Sequence, residues 1–130
     1  MSSKYAFGRT VSLPFDEAVR RAVEALGEQG FGVLSDIDVA ATLQKKLGLD
    51  VPPYRILGAC NPQFAHQALE MEPEIGTLLP CNVVVRVIDG EKTRIDIMDP
   101  AAVLGLVDRK DIEPIAQQVR QRLDQVLAAI

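Results

Sequence analysis

The sequence contains no tryptophan, one histidine (His66) and two cysteines (Cys60 and Cys81). A single histidine cannot supply the paired imidazoles of a standard zinc enzyme, and neither H-E-x-x-H nor C-x-x-C occurs. The phosphate-binding signatures G-x-x-x-x-G-K-[ST] and G-x-G-x-x-G are also missing. These absences argue against common zinc chemistry and against nucleotide-driven chemistry.

Positive charge and aromatic side chains are scarce as well. The chain carries 14 Lys and Arg residues against 18 Asp and Glu residues, and its aromatic content is 5%. Nucleic-acid-binding proteins usually present a basic stripe or an aromatic stacking platform. Here Arg20-Arg21 and Lys45-Lys46 are isolated basic pairs. We therefore expect no nucleic-acid partner.

Long apolar runs are the third absence. No stretch approaches the roughly 18 consecutive apolar residues that a membrane-spanning helix needs. Arg9 interrupts the only apolar stretch near the N-terminus that could serve as a signal peptide. We therefore expect no membrane partner and a soluble protein of the cytoplasm, where cysteines are usually free thiols.

The composition that remains is that of a globular protein. The chain has 130 residues, of which 48% are hydrophobic and 25% are charged. This length fits one domain, and a chain of this size can bury a core without help from a metal or a disulfide. Residues 1–130 are therefore predicted to form a single domain.

Hydrophobic periodicity predicts the element order β-α-β-α-β-α-β-β-α. Helices that alternate with strands before a closing hairpin favour an α+β fold with a mixed sheet covered by helices on one face. A short helical turn is also expected over residues 100–107. The predicted strands cover residues 5–11, 31–35, 54–59, 82–88 and 93–98, and the helices cover 15–26, 38–47, 61–71 and 112–130.

The hairpin around Asp89-Gly90 also has a predicted register. Alternating apolar residues place Val85 and Ile95 on the same face of their strands. A two-residue loop would set Val85 against Arg94, so we predict a three-residue loop that pairs Val85 with Ile95.

The chemically distinctive feature is a repeated Cys-Asn step. Cys60 precedes a helix predicted to begin at Asn61-Pro62, with Asn61 as its cap, and a helix N-terminus can lower a thiol pKa. The opposing interpretation is a buried, inert thiol, which is the more usual case for Cys81 ahead of its apolar strand. If the two strands are antiparallel, both thiols lie in one pocket with Asn61 and Asn82 beside them. We predict this arrangement over the parallel one, which would separate the thiols by about a helix length.

Other polar residues offer weaker candidates. His66 and Glu70 share a helix face and could join Cys60 in a mixed metal site, but a lone histidine favours a surface pair, so no metal is predicted. Arg55 could line a pocket or lie at the exposed start of its strand. The remaining carboxylates are most simply explained as caps, turns or loop residues: Asp36, Asp38, Glu72 and Glu74.

Several segments together resemble a known family. The segments are Gly30-Phe31, Asp36-Ile37-Asp38, the run from Tyr54 to Pro62 ending in Gly-Ala-Cys-Asn-Pro, the run from Leu78 to Val83 containing Leu-Pro-Cys-Asn, and Asp99-Pro100. They resemble the bacterial and archaeal proteins grouped as domain of unknown function 302. The resemblance covers nearly the whole chain. It implies a compact two-layer α/β sandwich and supplies no activity, substrate or cofactor.

Two functional hypotheses remain open. The first is a thiol-based module in which Cys60 and Cys81 handle a redox equivalent, a sulfur species or a soft ligand in a shallow pocket. The second is a non-catalytic protein that binds a small ligand or assembles through its sheet face or an oligomer interface. Val84, Ile88 and Met98 on the second sheet face predict a homodimer. No motif supports a hydrolase that uses carboxylates. The sequence specifies neither a cofactor nor a ligand, and it does not show whether the protein is an enzyme.

Overall fold

An antiparallel sheet forms one layer of this computed structural model, which describes residues 3–130. Within those residues the strands are β1 (Ala6–Val11), β2 (Gly32–Asp38), β3 (Tyr54–Cys60), β4 (Cys81–Asp89) and β5 (Lys92–Met98). They lie side by side in the order β1-β5-β4-β3-β2. The two strands that end this order, β1 and β2, are the edges of the sheet.

Helices form the second layer. They are α1 (Phe15–Glu28), α2 (Val39–Leu47), α3 (Pro62–Met71), α4 (Pro100–Leu104) and α5 (Glu113–Ala129), with short 3₁₀ helices at Pro73–Leu78 and Gly105–Val107. The predicted α+β class is confirmed, and so is the short helical turn after β5. Among residues 3–130, no helix is long and apolar enough to cross a membrane.

The pairing of the strands corrects one part of the prediction. The alternation of helices and strands suggested a mixed sheet, whereas each neighbouring pair is antiparallel. The physical reason lies in the connections. The connection through α2 returns the chain so that β3 runs antiparallel to β2. The 3₁₀ helix after α3 does the same for β4, whose antiparallel pairing with β3 is the arrangement predicted for the two cysteine strands.

The β4–β5 hairpin has the predicted register but a different loop. Val85 pairs with Ile95, as expected. The ladder then shifts between Val87 and Asp89, and Asp89 pairs with Lys92. Ile88 is therefore the extra residue of a bulge, and Gly90, at φ 51°, lies in the two-residue turn. The bulge, rather than a three-residue loop, keeps the apolar residues of both strands on one face.

The main core lies between the sheet and helices α1 and α5. Fully buried side chains of the central strands meet fully buried side chains of both helices there. On α1 the apolar Val23 is exposed, whereas Ala25 is buried. The largest contributors are Leu26, Leu57, Val83, Val85, Ile95, Ile97, Leu123 and Val126.

Candidate functional site

The antiparallel β3–β4 ladder brings the two cysteines to one end of the sheet. Cys81, the first residue of β4, pairs with Ala59 of β3. Cys60 follows Ala59 in the chain and is the last residue of β3. A ladder pair has Cα atoms about 4.5–5.5 Å apart and consecutive Cα atoms are about 3.8 Å apart, so the two cysteine Cα atoms lie within about 9 Å. Both cysteines are free thiols.

Both cysteines line one cavity of about 300 Å³, which we call the cysteine cavity. Its wall is formed by Phe31 and Leu34 near the start of β2, the end of β3, helix α3, the chain from Gly76 to the start of β4, and side chains of α4 and α5. None of the residues of this wall carries a charged side chain. A concave, largely apolar space of this size lies at the lower end of the range found for small-molecule sites. The apolar wall includes Phe31, Phe64, Ala68, Leu104, Ile115 and Val119.

Asn61 has the structural role that its sequence position predicts. It is the N-cap of α3, and its Oδ1 accepts a hydrogen bond from the Phe64 backbone N–H at 3.4 Å, while Pro62 occupies the first turn. The side chain is buried and also lines the cysteine cavity. The cap therefore places one amide group in an otherwise apolar wall.

The electrostatic environment of the thiols is opposite to the one expected at a helix N-terminus. Burial raises the pKa of the Cys60 thiol above its ordinary value. Burial, together with the neighbouring Cys60, raises the pKa of the Cys81 thiol to about 11. The apolar wall disfavours the charged thiolate. The raised pKa of Cys60 is the opposite of the lowering that its place before a helix N-terminus made possible.

Asn82 does not lie beside the cysteines. Successive side chains of a strand point to opposite faces of the sheet, so Asn82 lies on the face opposite Cys81. It is exposed and borders an open depression of about 670 Å³ on the sheet face away from the main core, which Val103 of α4 also lines. The sequence repeat Cys-Asn thus places Asn61 in the cysteine cavity and Asn82 outside it.

His66 and Glu70 form an exposed pair on α3, with His66 Nε2 3.2 Å from Glu70 Oε1. Neither residue lines the cysteine cavity. Within residues 3–130, no cluster of three or more His, Cys, Asp or Glu side chains could hold a metal ion. The structure therefore does not bring Cys60, His66 and Glu70 together as a metal site.

Arg55 is engaged with a neighbouring strand. Its guanidinium donates hydrogen bonds to both carboxylate oxygens of Asp36. This contact lowers the pKa of Asp36, the guanidinium hydrogen bond being the main cause. Asp38 caps α2 by accepting a hydrogen bond from the Ala41 N–H at 2.8 Å. Arg55 and Asp36 thus link β3 to β2, and Asp38 caps the N-terminus of α2. None of these three residues lines the cysteine cavity.

Gly58 and Pro80 were not among the predicted site residues. A Cβ atom at Gly58 would lie 2.9 Å from Pro80 Cγ and would collide with Ser35 Oγ. Pro80, which follows a cis peptide bond, lines the cysteine cavity directly before Cys81. A glycine inside a strand often indicates close approach by another group, and this was the available sequence signal. The wall residues from α4 and α5 had no such signal, because they are distant in the chain.

An antiparallel sheet covered by helices on one face, with an apolar cavity at the end of its central strands, defines a two-layer α+β sandwich. The chain belongs to the family described as domain of unknown function DUF302, which matches residues 7–130. It is similar to the crystal structure of an uncharacterized conserved DUF302 protein from Bacillus stearothermophilus, with 33% sequence identity over 98% of each chain and a TM-score of 0.89. No curated protein matches the chain. The resemblance inferred from the sequence is confirmed.

Proposed function

We propose that this protein binds a small, uncharged and mainly apolar molecule in the cysteine cavity, without forming a covalent bond to it. The observation that carries the proposal is the wall itself: about 300 Å³ of space bounded by apolar side chains, one amide and two thiols. An ionic ligand would lose its hydration there without gaining a charged partner, which is costly.

The composition of the wall narrows the ligand class. Phe31 and Phe64 offer aromatic surface, and the protonated thiols of Cys60 and Cys81 offer soft, polarizable contacts. Because Asn61 Oδ1 already accepts from the Phe64 N–H, its amide NH₂ is the group that can donate to a ligand oxygen. An apolar cavity of about 150 Å³ can hold benzene, so this larger one suits an aromatic or branched aliphatic carbonyl compound.

Acetophenone is a suitable probe because it combines an aromatic ring with one hydrogen-bond acceptor. We expect it to shift the backbone amide NMR signals of α3 and of the β3–β4 end of the sheet. Benzoate, of similar size but charged, should bind at least about tenfold more weakly, since its carboxylate would be buried without a partner. Shifts confined to other surfaces, or equal binding of both probes, would contradict the proposal.

A cavity-filling substitution tests the location independently. Ala65 lines the cavity and is only half-buried, so Ala65→Leu adds volume there without entering the main core. We expect this change to weaken acetophenone binding at least about tenfold. Ala128→Leu, at an exposed position of α5, is the matched control and should leave the affinity unchanged.

The thiol-based module is the second candidate, and the shared cavity of Cys60 and Cys81 is the observation that favours it. The raised pKa of both thiols weighs against it, because the thiolate is the nucleophile and little of it forms at neutral pH. If acetophenone does not bind and the thiols are alkylated rapidly at neutral pH, the thiol-based module becomes the better-supported function.

A further inference from the structure

The open depression that Asn82 borders, which we call the arginine depression, is crossed by a row of four polar side chains. The row takes one residue from each of four neighbouring strands. Thr10 pairs with Arg94, Arg94 with Arg86, and Arg86 with Tyr54, and all four line the depression. Paired residues have Cα atoms about 4.5–5.5 Å apart, so two arginines stand side by side between two hydroxyl-bearing side chains.

The two arginines oppose each other at an electrostatic cost, because like charges at directly paired positions of a sheet repel. A single carboxylate offsets this repulsion. Asp96 Oδ1 accepts a hydrogen bond from Arg94 Nε at 2.9 Å, and Asp96 Oδ2 lies 3.6 Å from Arg86 Nε. Asp96 is the only acidic side chain among the described residues that line the depression. The three side chains together therefore carry one uncompensated positive charge.

Gly8 makes room for the carboxylate that orients both arginines. It pairs with Asp96 across the β1–β5 ladder, and a Cβ atom at Gly8 would lie 2.6 Å from Asp96 Oδ1. Because Asp96 faces the Nε atoms, the terminal Nη groups remain available: within residues 3–130, none of them on Arg86 or Arg94 forms a hydrogen bond. Both arginine side chains are half-buried, so water screens their charge less than at a fully exposed position.

Apolar surface adjoins the arginine row along β4. Val84 lies two residues before Arg86 and Ile88 two residues after it, and both line the depression. Two residues of a strand span about 7 Å, which is the length of a short organic chain or a ring with a linker. The depression thus joins a positively charged centre to apolar walls within the reach of one small molecule.

We propose that the arginine depression binds a small organic carboxylate with an apolar body. One carboxylate balances the single uncompensated charge, and its two oxygens match the forked donors of a guanidinium group. Thr10 and Tyr54 place hydroxyl donors on either side of this head group. Polyanions fit less well, because the whole chain has a net charge of −4 and Asp96 lies next to the row. No described residue lines both this depression and the cysteine cavity, so the two sites are separate.

The probe for this site is 3-phenylpropionate, and its uncharged counterpart is 3-phenylpropionamide, which has nearly the same shape. We expect the carboxylate to shift the backbone amide NMR signals of residues 85–88 and 93–96. The neutral compound should bind there at least about tenfold more weakly, because it cannot form the charge-assisted hydrogen bonds. Signals of α3 report the cysteine cavity separately, so the two sites can fail independently. Equal binding of the two compounds, or no shifts in β4 and β5, would overturn the proposal.

Substitutions test the role of the arginines. Arg86→Gln should weaken 3-phenylpropionate binding at least about tenfold, and Arg86→Lys should weaken it less, because lysine keeps the charge but lacks the fork. Arg21→Gln is the matched control: it removes the same charge from an exposed position of α1, where Arg21 pairs with Glu17, and should leave the affinity unchanged. An equal effect of Arg21→Gln and Arg86→Gln would contradict a specific site.

Thermal unfolding separates this role from a structural one. Arg86→Gln removes the repulsion from Arg94, so the unfolding temperature should not fall although the affinity does. Light scattering tests the other occupant of the depression, which is a second copy of the chain. If Arg86→Gln changed the oligomeric state and left the affinity for 3-phenylpropionate unchanged, the depression would be an interface between copies and the proposal would be wrong.

Discussion

Cys81 faces Ala59 across the β3–β4 ladder, so Cys60 directly follows the residue opposite Cys81. This register joins two Cys-Asn steps that lie on either side of α3 in the chain. It also couples the two thiols, because ionisation of Cys60 would make ionisation of Cys81 less favourable.

The two thiols should differ in reactivity, and neither should behave as an activated nucleophile. Cys60 is half-buried and Cys81 is buried, so maleimide should label Cys60 first and Cys81 only after unfolding. The Cys60 rate should keep rising with pH beyond about 8.5, the ordinary thiol pKa, because burial disfavours its thiolate. Time-resolved mass spectrometry of Cys60→Ser and Cys81→Ser isolates each thiol. A rate that levels off below neutral pH would contradict the raised pKa.

Cys81 should make folding stability fall in alkaline solution. Its thiol pKa is about 11 in the folded protein and 9.0 for an unperturbed thiol. The unfolded chain therefore binds fewer protons between these values, and the stabilising contribution, complete below about pH 9, is lost as the pH rises to about 11. The loss amounts to about 3 kcal/mol. Urea unfolding of Cys81→Ala should show a shallower decline over this range, and an identical decline would contradict the assignment.

Gly58→Ala should destabilise the sheet beside the cysteine cavity. The added methyl would meet Ser35 Oγ and the Pro80 ring, and the ring cannot rotate away. We expect a loss of about 1–3 kcal/mol in the free energy of unfolding, as for other overpacked sites. Gly27→Ala is the control: nothing lies within 4 Å of its Cβ position, and alanine favours the helix. An equal effect at both positions would exclude the steric explanation.

Leu123→Ala tests whether α5 belongs to the core. Leu123 is fully buried in the main apolar cluster, together with Val126 of the same helix. Removing its side chain should lower the free energy of unfolding by about 2–5 kcal/mol. Chemical denaturation measures the change. A loss below about 1 kcal/mol would show that α5 contributes little to core packing.

Asp99 should be more sensitive to alanine than to asparagine. Its Oδ1 accepts from the Ala101 N–H at 3.0 Å, and its Oδ2 accepts from Arg120 Nη1 at 2.6 Å, where Arg120 also stacks on Phe7. Asp99→Ala removes the cap and the ion pair and should cost about 1–3 kcal/mol. Asp99→Asn keeps a capping oxygen and should cost less. Thermal unfolding measures the stability of both variants. Equal losses of stability would show that the capping hydrogen bond contributes little.

The fold was largely predictable because its signals are local. Helix α3 begins with the Asn61 cap and Pro62, and the register of Val85 with Ile95 follows from strict alternation of apolar residues. Local signals do not specify strand direction across a long connection, which is why the sheet was expected to be mixed. The exposure of α2 also escaped prediction, since its apolar residues have the spacing of a helix that packs against a core.

The sequence by itself determined the element order, the family and the importance of the Cys-Asn steps, because each depends on residues close together in the chain. Tertiary structure decided what those steps mean. Antiparallel pairing brought Cys60 and Cys81 into one cavity, and strand alternation turned Asn82 to the opposite face. The thiol pKa values were also decided there, because desolvation depends on side chains that distant helices place around the sulfur atoms.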